Sequence, residues 1–334
     1  KINEKDVFEM NNEKLLKAIN DFTLTTDDLK EIAACIRYDI EQGLKDEPTS
    51  LKMLKSYIGL PSGNETGEYL ALDFGGTNLR VVLMHLEGNG KSSIIKKVAK
   101  PLKVPGVYDF IGPDSKAEDL FDFIAGVIDE TISGDKSKTY FLGHTFSFPS
   151  SQTDIYNAKL ITWTKEFATS GVEGKVVNDL LKEALVRQGL SNVKPVAVIN
   201  DTVAVLLAAA YKSADTYIGS IYATGHNTCY FETYSGTSGN PMIINLEIGG
   251  FNKITVNKYD ALLNSNSELP DQQRLEKMVS GRYIGELFSY CLQDIFSLNS
   301  LPEFTSIDLS YILNDSEAGL PNVQKLINER INVK

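Results

Sequence analysis

A chain of 334 residues, 42% of them hydrophobic, carries apolar material for about two domain cores and is neither a peptide scaffold nor a disordered tail. Its 33 basic and 44 acidic residues leave a formal charge of −11, which repels a nucleic-acid backbone, and no local basic patch offsets it. A smaller polyanion such as a nucleotide would need a metal ion or well-placed backbone amides to approach.

The first sixty residues read as helices. From Thr25 or Thr26, whose hydroxyl can cap the first turn, Leu29, Ile32, Ala33, Ile36 and Ile40 recur at helical spacing, with Asp27 and Asp28 at the positive end of the helix dipole. Breaker-rich residues 60–67 mark a domain boundary. Residues 69–74 predict a strand ending in Gly75-Gly76, and residues 79–86 a second strand that runs into the hairpin turn Gly88-Asn89-Gly90. A helix over 120–132, a strand over 139–148, a helix over 176–187 and a buried strand over 196–199 follow, the last ending at Asn200-Asp201. Residues 202–211 are helical; strands over 217–223 and 228–233 flank Thr224-Gly225-His226-Asn227; 242–247 is a further strand, and 270–292 contains a long helix. This order gives an α/β protein, and no internal repeat is obvious.

Cys35, Cys229 and Cys291 are odd in number and far apart, which fits neither a disulfide framework nor a zinc knuckle and makes a reducing, cytoplasmic compartment the default. His85, His144 and His226 have no metal-ligand spacing. Neither a cleavable leader pattern nor a membrane-spanning apolar run is present. Gly90-Lys91-Ser92 looks like the end of a phosphate loop, but that pattern requires glycine where this chain has His85, and no helix follows. The nucleophile elbow and the dinucleotide glycine fingerprint are both missing. Trp163 reads as core packing or a cleft wall.

Residues 73–80, Asp-Phe-Gly-Gly-Thr-Asn-Leu-Arg, are more informative. A carboxylate at a strand end can hold a hydrated divalent ion; Gly75 and Gly76 let backbone amides approach phosphate; Thr77, Asn78 and Arg80 add donors. The alternative is an ordinary hairpin with an exposed carboxylate. Asp201, at the end of a second strand, suits a general base for an attacking hydroxyl, or else an N-cap. The turn at Thr224-Gly225 is a second phosphate cradle or a polar substrate contact. Glu247 and Glu276 can accept protons from sugar hydroxyls, or serve as surface carboxylates or structural ion pairs.

Together these stretches resemble the eukaryotic-type hexokinase family over residues 25–292. Residues 72–80 are similar to its first phosphate motif, and residues 142–149 with 160–165 to its sugar-binding signature. Asn200-Asp201-Thr202-Val203 is similar to its catalytic-aspartate block, residues 223–230 to its second phosphate loop, and residues 275–281 to the following helix. The resemblance implies a two-lobed actin-like ATPase and sugar-kinase fold with a cleft between the lobes. Residues 1–65 would be N-terminal helices of the large lobe, 66–200 the small lobe, and 201–334 a shortened part of the large lobe. It implies ATP-dependent phosphorylation of glucose or a related hexose at its terminal hydroxyl, with Ser147, Thr164, Lys165, Asn200, Asp201, Asn227, Glu247 and Glu276 around the sugar. Asp201 would be the base, Lys165 would orient ring hydroxyls, and Asp73 would position magnesium through water. Gly75, Gly76, Thr77, Asn78, Arg80, Thr224 and Gly225 would face the triphosphate of ATP.

Two departures stand out: Ala223 and His226 where the family usually has glycine and a small residue, and no aromatic residue after Glu247. Family members also continue beyond the position of Lys334, so the resemblance leaves three alternatives: a truncated chain, a cleaved or split product, or a shortened homologue. A free-standing incomplete lobe would call for a homo-oligomer or a partner chain to cover it. A non-catalytic sugar sensor or regulatory subunit is the alternative from another class, and a structural or partner-binding protein a third.

Overall fold

The computed structural model describes residues 4–76, 78–164, 167–233 and 240–331. Two helices open it, α1 (Glu4–Phe22) and α2 (Thr26–Gly43). Thr25 caps α2: its Oγ1 accepts the Asp28 N–H at 3.2 Å while the Asp28 carboxylate accepts the Thr25 N–H at 2.7 Å, a reciprocal box. The expected helix does not continue to residue 60. Pro48 lacks the N–H that helix extension requires, and Asp46, Met53 and Tyr57 take positive φ, so this stretch holds only a short strand, β1 (Leu54–Lys55).

The strands β2 (Thr66–Gly75), β3 (Asn78–Gly88) and β4 (Lys91–Pro101) form an antiparallel meander. Lys91 and Ser92 thus begin a strand, with no helix behind them. Two short strands, β5 (Lys103–Val104) and β6 (Tyr108–Asp109), lead to α3 (Ala117–Ile132) and β7 (Tyr140–Phe146). Next come β8 (Ser150–Ser151), β9 (Lys159–Leu160), α4 (Val177–Arg187), β10 (Val193–Ile199) and α5 (Asp201–Lys212). The strands end with β11 (Ile218–Tyr222), β12 (His226–Glu232) and β13 (Met242–Asn245). Helices α6 (Lys258–Asn266), α7 (Arg274–Val279), α8 (Ile284–Ile295), α9 (Ser306–Asn314) and α10 (Pro321–Arg330) complete the described chain.

The single long helix expected within 270–292 is two helices. Between α7 and α8 the Gly281 N–H donates to Ala223 O at 2.8 Å and the Arg282 N–H to Thr224 O at 3.0 Å. Those amides serve a distant turn instead of a helical ladder, a non-local demand that helical periodicity cannot reveal.

The chain divides into two compact units. Lys1–Met53, Ser220–Thr228 and Leu246–Lys334 make the first; Leu54–Gly219 and Cys229–Asn245 make the second. In the second unit a five-stranded sheet runs in the order β10-β7-β2-β3-β4, with β2, β7 and β10 parallel. Strand alternation buries Leu70, Leu72 and Phe74 of β2 and Tyr140, Leu142, His144 and Phe146 of β7. Helices α3 and α4 cover that row with Leu120, Ile124, Ile128 and Leu181. Phe74 is at the centre of an aromatic group, 5.7 Å from Phe146, 5.7 Å from Phe148, 5.8 Å from Phe167 and 6.4 Å from Trp163 between ring centres. Truncating such a ring costs about 3–5 kcal/mol. A second sheet, ordered β1-β13-β12-β11, packs Cys229 and Ile243 against Val203 and Leu206 of α5.

In the first unit, Ala18 of α1 packs with Tyr259 and Leu263 of α6 and Leu287 and Tyr290 of α8, and Leu292 with Phe304 and Ile331. No helix among the described residues is long and apolar enough to cross a membrane.

His144 occupies an apolar slot of the second unit, 5.9 Å from the Phe74 ring and 5.5 Å from Phe146, and neither ring nitrogen has a hydrogen-bond partner among the described residues. Burial pulls its pKa down from 6.5 to about 3. The unfolded chain therefore takes up this proton from pH 6.5 downward while the folded chain does so only near 3, so stability falls by about 1.4 kcal/mol per pH unit in between. His144→Phe should remove this loss: between pH 7.5 and 5.0 its unfolding free energy in urea is expected to drop by about 2 kcal/mol less than that of the native chain. Equal drops would mean that the imidazole is not buried in its neutral form.

Candidate functional site

Because β2, β7 and β10 are parallel neighbours, their carboxyl ends emerge along one edge of the sheet. Crevices at such ends are where open α/β sheets bind ligands. Asp73 pairs in register with Thr145, and Thr145 with Ile199. Facing away from the buried row, Asp73 accepts the Thr145 hydroxyl on Oδ1 at 3.1 Å and Arg80 Nη1 on Oδ2 at 2.8 Å. Both partners of the Asp73–Arg80 pair are about half exposed, so it contributes only ~0–1 kcal/mol and serves to aim the carboxylate. Thr145, which has no role of its own in the sequence reading, is found only through strand register.

Gly76 turns the chain with φ +64° and open space where a Cβ would stand, a conformation and clearance that suit glycine. The Ser147 hydroxyl lies 3.6 Å from the Cβ position of Gly75, and Asn78 and Arg80 begin β3 with exposed side chains. Thr164 is exposed in the loop after β9. Thr77 and Lys165 lie outside the described residues. Trp163, beside that loop, donates its Nε1–H to Thr169 O at 2.8 Å and stacks on Phe167 at 4.9 Å, so it is core packing.

At the end of β10 the N-cap of α5 is Asn200, whose Oδ1 accepts the Thr202 N–H at 2.8 Å. The capping alternative for Asp201 is thereby corrected: Asp201 is the first helical residue, and its Oδ1 also accepts the Thr202 N–H, at 2.8 Å. Its Oδ2 accepts no hydrogen bond among the described residues. One oxygen is thus fixed and the other is left to take a proton.

The first unit gathers the remaining residues. The tight turn between β11 and β12 closes with the Ala223 N–H on Gly225 O at 2.9 Å. Glu276 of α7 accepts the His226 N–H at 2.9 Å, and its Oε2 stands 2.8 Å from the Cβ position of Gly225. Asn227 Nδ2 donates to Glu247 Oε1 at 3.0 Å, and Lys52 Nζ lies 3.9 Å from Glu247 Oε2. Thr224 is exposed at the turn. The His226 ring folds back on its own hairpin, with Nδ1 3.2 Å from Ile221 O and an edge contact to Tyr222 at 5.5 Å. The ring therefore does not extend outward from the turn. Sequence reasoning also missed Lys52, which only the tertiary fold brings to Glu247.

Among the described residues no three His, Cys, Asp or Glu side chains gather to hold a metal ion. A lone carboxylate with neighbouring hydroxyl and amide groups fits magnesium, which keeps most of its water and shares its ligands with phosphate. Buried Cys229, with its thiol pushed up to about 11 by burial, supplies no thiolate.

Two hexokinase family models match consecutive stretches, residues 14–211 and 217–334. The chain belongs to the hexokinase family. Hexokinase-1 of Schizosaccharomyces pombe is 37% identical over 300 residues, covering 84% of this chain and 60% of that protein. The chain thus spans less than two thirds of that hexokinase. A solved hexokinase crystal structure matches with a TM-score of 0.84 at 31% identity, over 96% of this chain and 76% of that one. The Schistosoma mansoni hexokinase complexed with glucose matches with a TM-score of 0.76 at 32% identity, over 98% and 78% respectively. The mixed α/β architecture is accordingly the actin-like sugar-kinase fold of hexokinases.

Two glycines at this turn give contrasting expectations. A methyl group at Gly225 meets only the mobile end of Glu276, whereas one at Gly281 meets the Ala223 backbone oxygen at 2.8 Å. Gly281→Ala is expected to cost about 1–3 kcal/mol in urea unfolding. Gly225→Ala should cost less than about 1 kcal/mol while speeding hydrogen exchange of the His226 amide, whose acceptor has been pushed aside. An unchanged His226 exchange rate would count against the contact.

Proposed function

We propose that the chain transfers the terminal phosphoryl group of ATP to the terminal hydroxyl of glucose or a related hexose. The observation that carries this reading is the placement of Asp73, Ser147 and Asp201 at the carboxyl ends of three adjacent parallel strands. Membership of the hexokinase family supports it.

In this reading Asp201 takes the proton from the attacking hydroxyl on its free oxygen, while the helical N-terminus fixes the other. Lys165, Thr164, Ser147, Asn200, Asn227, Glu247 and Glu276 orient sugar hydroxyls. The amides of Gly75 and Gly76, with Thr77, Asn78 and Arg80, receive phosphate oxygens, as do Thr224 and Gly225. Asp73 would hold magnesium through water, and that ion, when bound, neutralises triphosphate charge. The residues thus contribute position and charge rather than covalent chemistry, which is what in-line phosphoryl transfer requires.

The same reading assigns residues 66–200 to a small lobe and residues 1–65 with 201–334 to a large one. It places the protein in the cytoplasm, in keeping with three free thiols. It also has a second copy or a partner chain cover apolar surface around Ile218 and Tyr222, which are 66% and 63% exposed on β11.

The test is ADP release from magnesium-ATP with and without glucose, comparing the native chain with Asp201→Asn. Glucose-dependent release that falls by about 10²–10⁴ in the variant, with glucose still bound in calorimetry, is the expected result. Glucose binding without turnover by the native chain would assign a sugar sensor instead. ADP release indifferent to glucose would end the hexokinase reading.

A further inference from the structure

Glu247 adopts a left-handed backbone, φ 52° and ψ 50°, which costs a residue with a side chain about 1 kcal/mol or more and must be held by its surroundings. The hold begins in the segment 50–52. The Lys52 N–H donates to Leu246 O at 3.0 Å on one side of Glu247, and Ser50 O lies against Gly250 on the other, 3.2 Å from where a Cβ would stand. Leu51 between them is buried. On the far side the Gly250 N–H closes onto Glu247 O at 3.1 Å, and Phe251, fully buried, accepts the Leu275 N–H at 3.2 Å.

Both strands of this grip lead to one side chain. Asp39 of α2 is completely buried, and its Oδ2 accepts both the N–H of Ser50, at 3.2 Å, and the Ser50 hydroxyl. Its Oδ1 takes the ammonium of Lys253, two residues past Phe251, and that ammonium also lies 4.5 Å over the Tyr38 ring. One carboxylate therefore ties the chain before β1 to the chain after the Glu247 turn. Burial pushes the Asp39 carboxyl up, but the bonds from Lys253 and Ser50 outweigh it and leave its pKa below the usual carboxylate range.

We infer that Asp39 is a positioning residue for Glu247. Held by α2, it fixes Ser50 and Lys253 on either side of the left-handed turn and so aims the Glu247 carboxylate. The inference rests on the reading that Glu247 receives a hexose hydroxyl.

Its test uses the full chain with Asp39→Asn, which keeps the shape and loses the charge, and Ser50→Ala, which removes a single hydroxyl. The control is Asp294→Ala, which breaks the Lys258 ion pair of the same unit outside the Glu247 grip. Glucose affinity by calorimetry is expected to weaken about 10-fold in Asp39→Asn and less in Ser50→Ala, with the KM for magnesium-ATP nearly unchanged. Asp294→Ala should lower the melting temperature without a comparable loss of glucose affinity. Should Asp39→Asn fail to fold, Ser50→Ala decides alone. Native glucose affinity in the folded variants, or a loss no greater than in Asp294→Ala, overturns the positioning role while leaving the hexose reading intact. A native chain that binds no glucose overturns both.

Discussion

The chemistry of the second unit depends on the two-residue alternation of β2. Leu70, Leu72 and Phe74 point into the core, and this alone puts Asp73 on the opposite face, beside Thr145 and Arg80. A slip of one residue would bury the carboxylate and expose Phe74, exchanging an aromatic anchor worth several kcal/mol for an unpaired buried charge. Register is therefore fixed by packing, and the site inherits its placement from the core. The same logic carries across the sheet: β7 aligns Thr145 with Asp73, and β10 delivers Asn200 and Asp201 just beyond that level.

The first unit solves its problem differently, with backbone close approach in place of strand register. The turn at residues 223–225 is held by amides from Gly281 and Arg282 and by the Glu276 carboxylate on the His226 N–H. Gly225 and Gly281 stand where a Cβ would meet an oxygen at 2.8 Å. Glu276 thus spends one oxygen on holding the turn that precedes Asn227, and Asn227 in turn holds Glu247. Glu276, Asn227 and Glu247 are thus linked through hydrogen bonds to the turn at residues 223–225, so displacing one disturbs the others.

Much of this was legible because the informative residues stand at the ends of apolar strands. The runs over 69–74 and 196–199 announce their own termini, and polar residues after a strand end have few structural duties of their own. The parts that were not legible are non-local. Nothing near residue 281 says that its amide is required by Ala223, so two helices read as one. Residues 44–60 read as helix because apolar spacing says little about positive φ at Asp46, Met53 and Tyr57. Asn200 and Asp201 are both good cap formers, and only dihedral angles and hydrogen bonds separate the residue that caps from the one left with a free oxygen. Asp39 was silent for the same reason: an aspartate in an amphipathic helix reads as a solvated face until its partners, Ser50 and Lys253, are brought in from elsewhere.

The net charge of −11 sets the last constraint. A triphosphate approaching an acidic protein gains little from long-range steering, so affinity has to come from short-range donors. In the second unit the only arginine on the Asp73 hairpin, Arg80, is already engaged by Asp73. That pair is half exposed and weak, so separating it costs about as much as a single surface hydrogen bond, far less than a charge-assisted bond to phosphate returns. On the proposed reading Arg80 would be stored in position without being trapped, and its departure would leave an Asp73 oxygen open. In the proposed reaction one event would supply both needs: phosphate draws the guanidinium away, and the carboxylate released is the group that would meet the hydrated ion arriving with that phosphate.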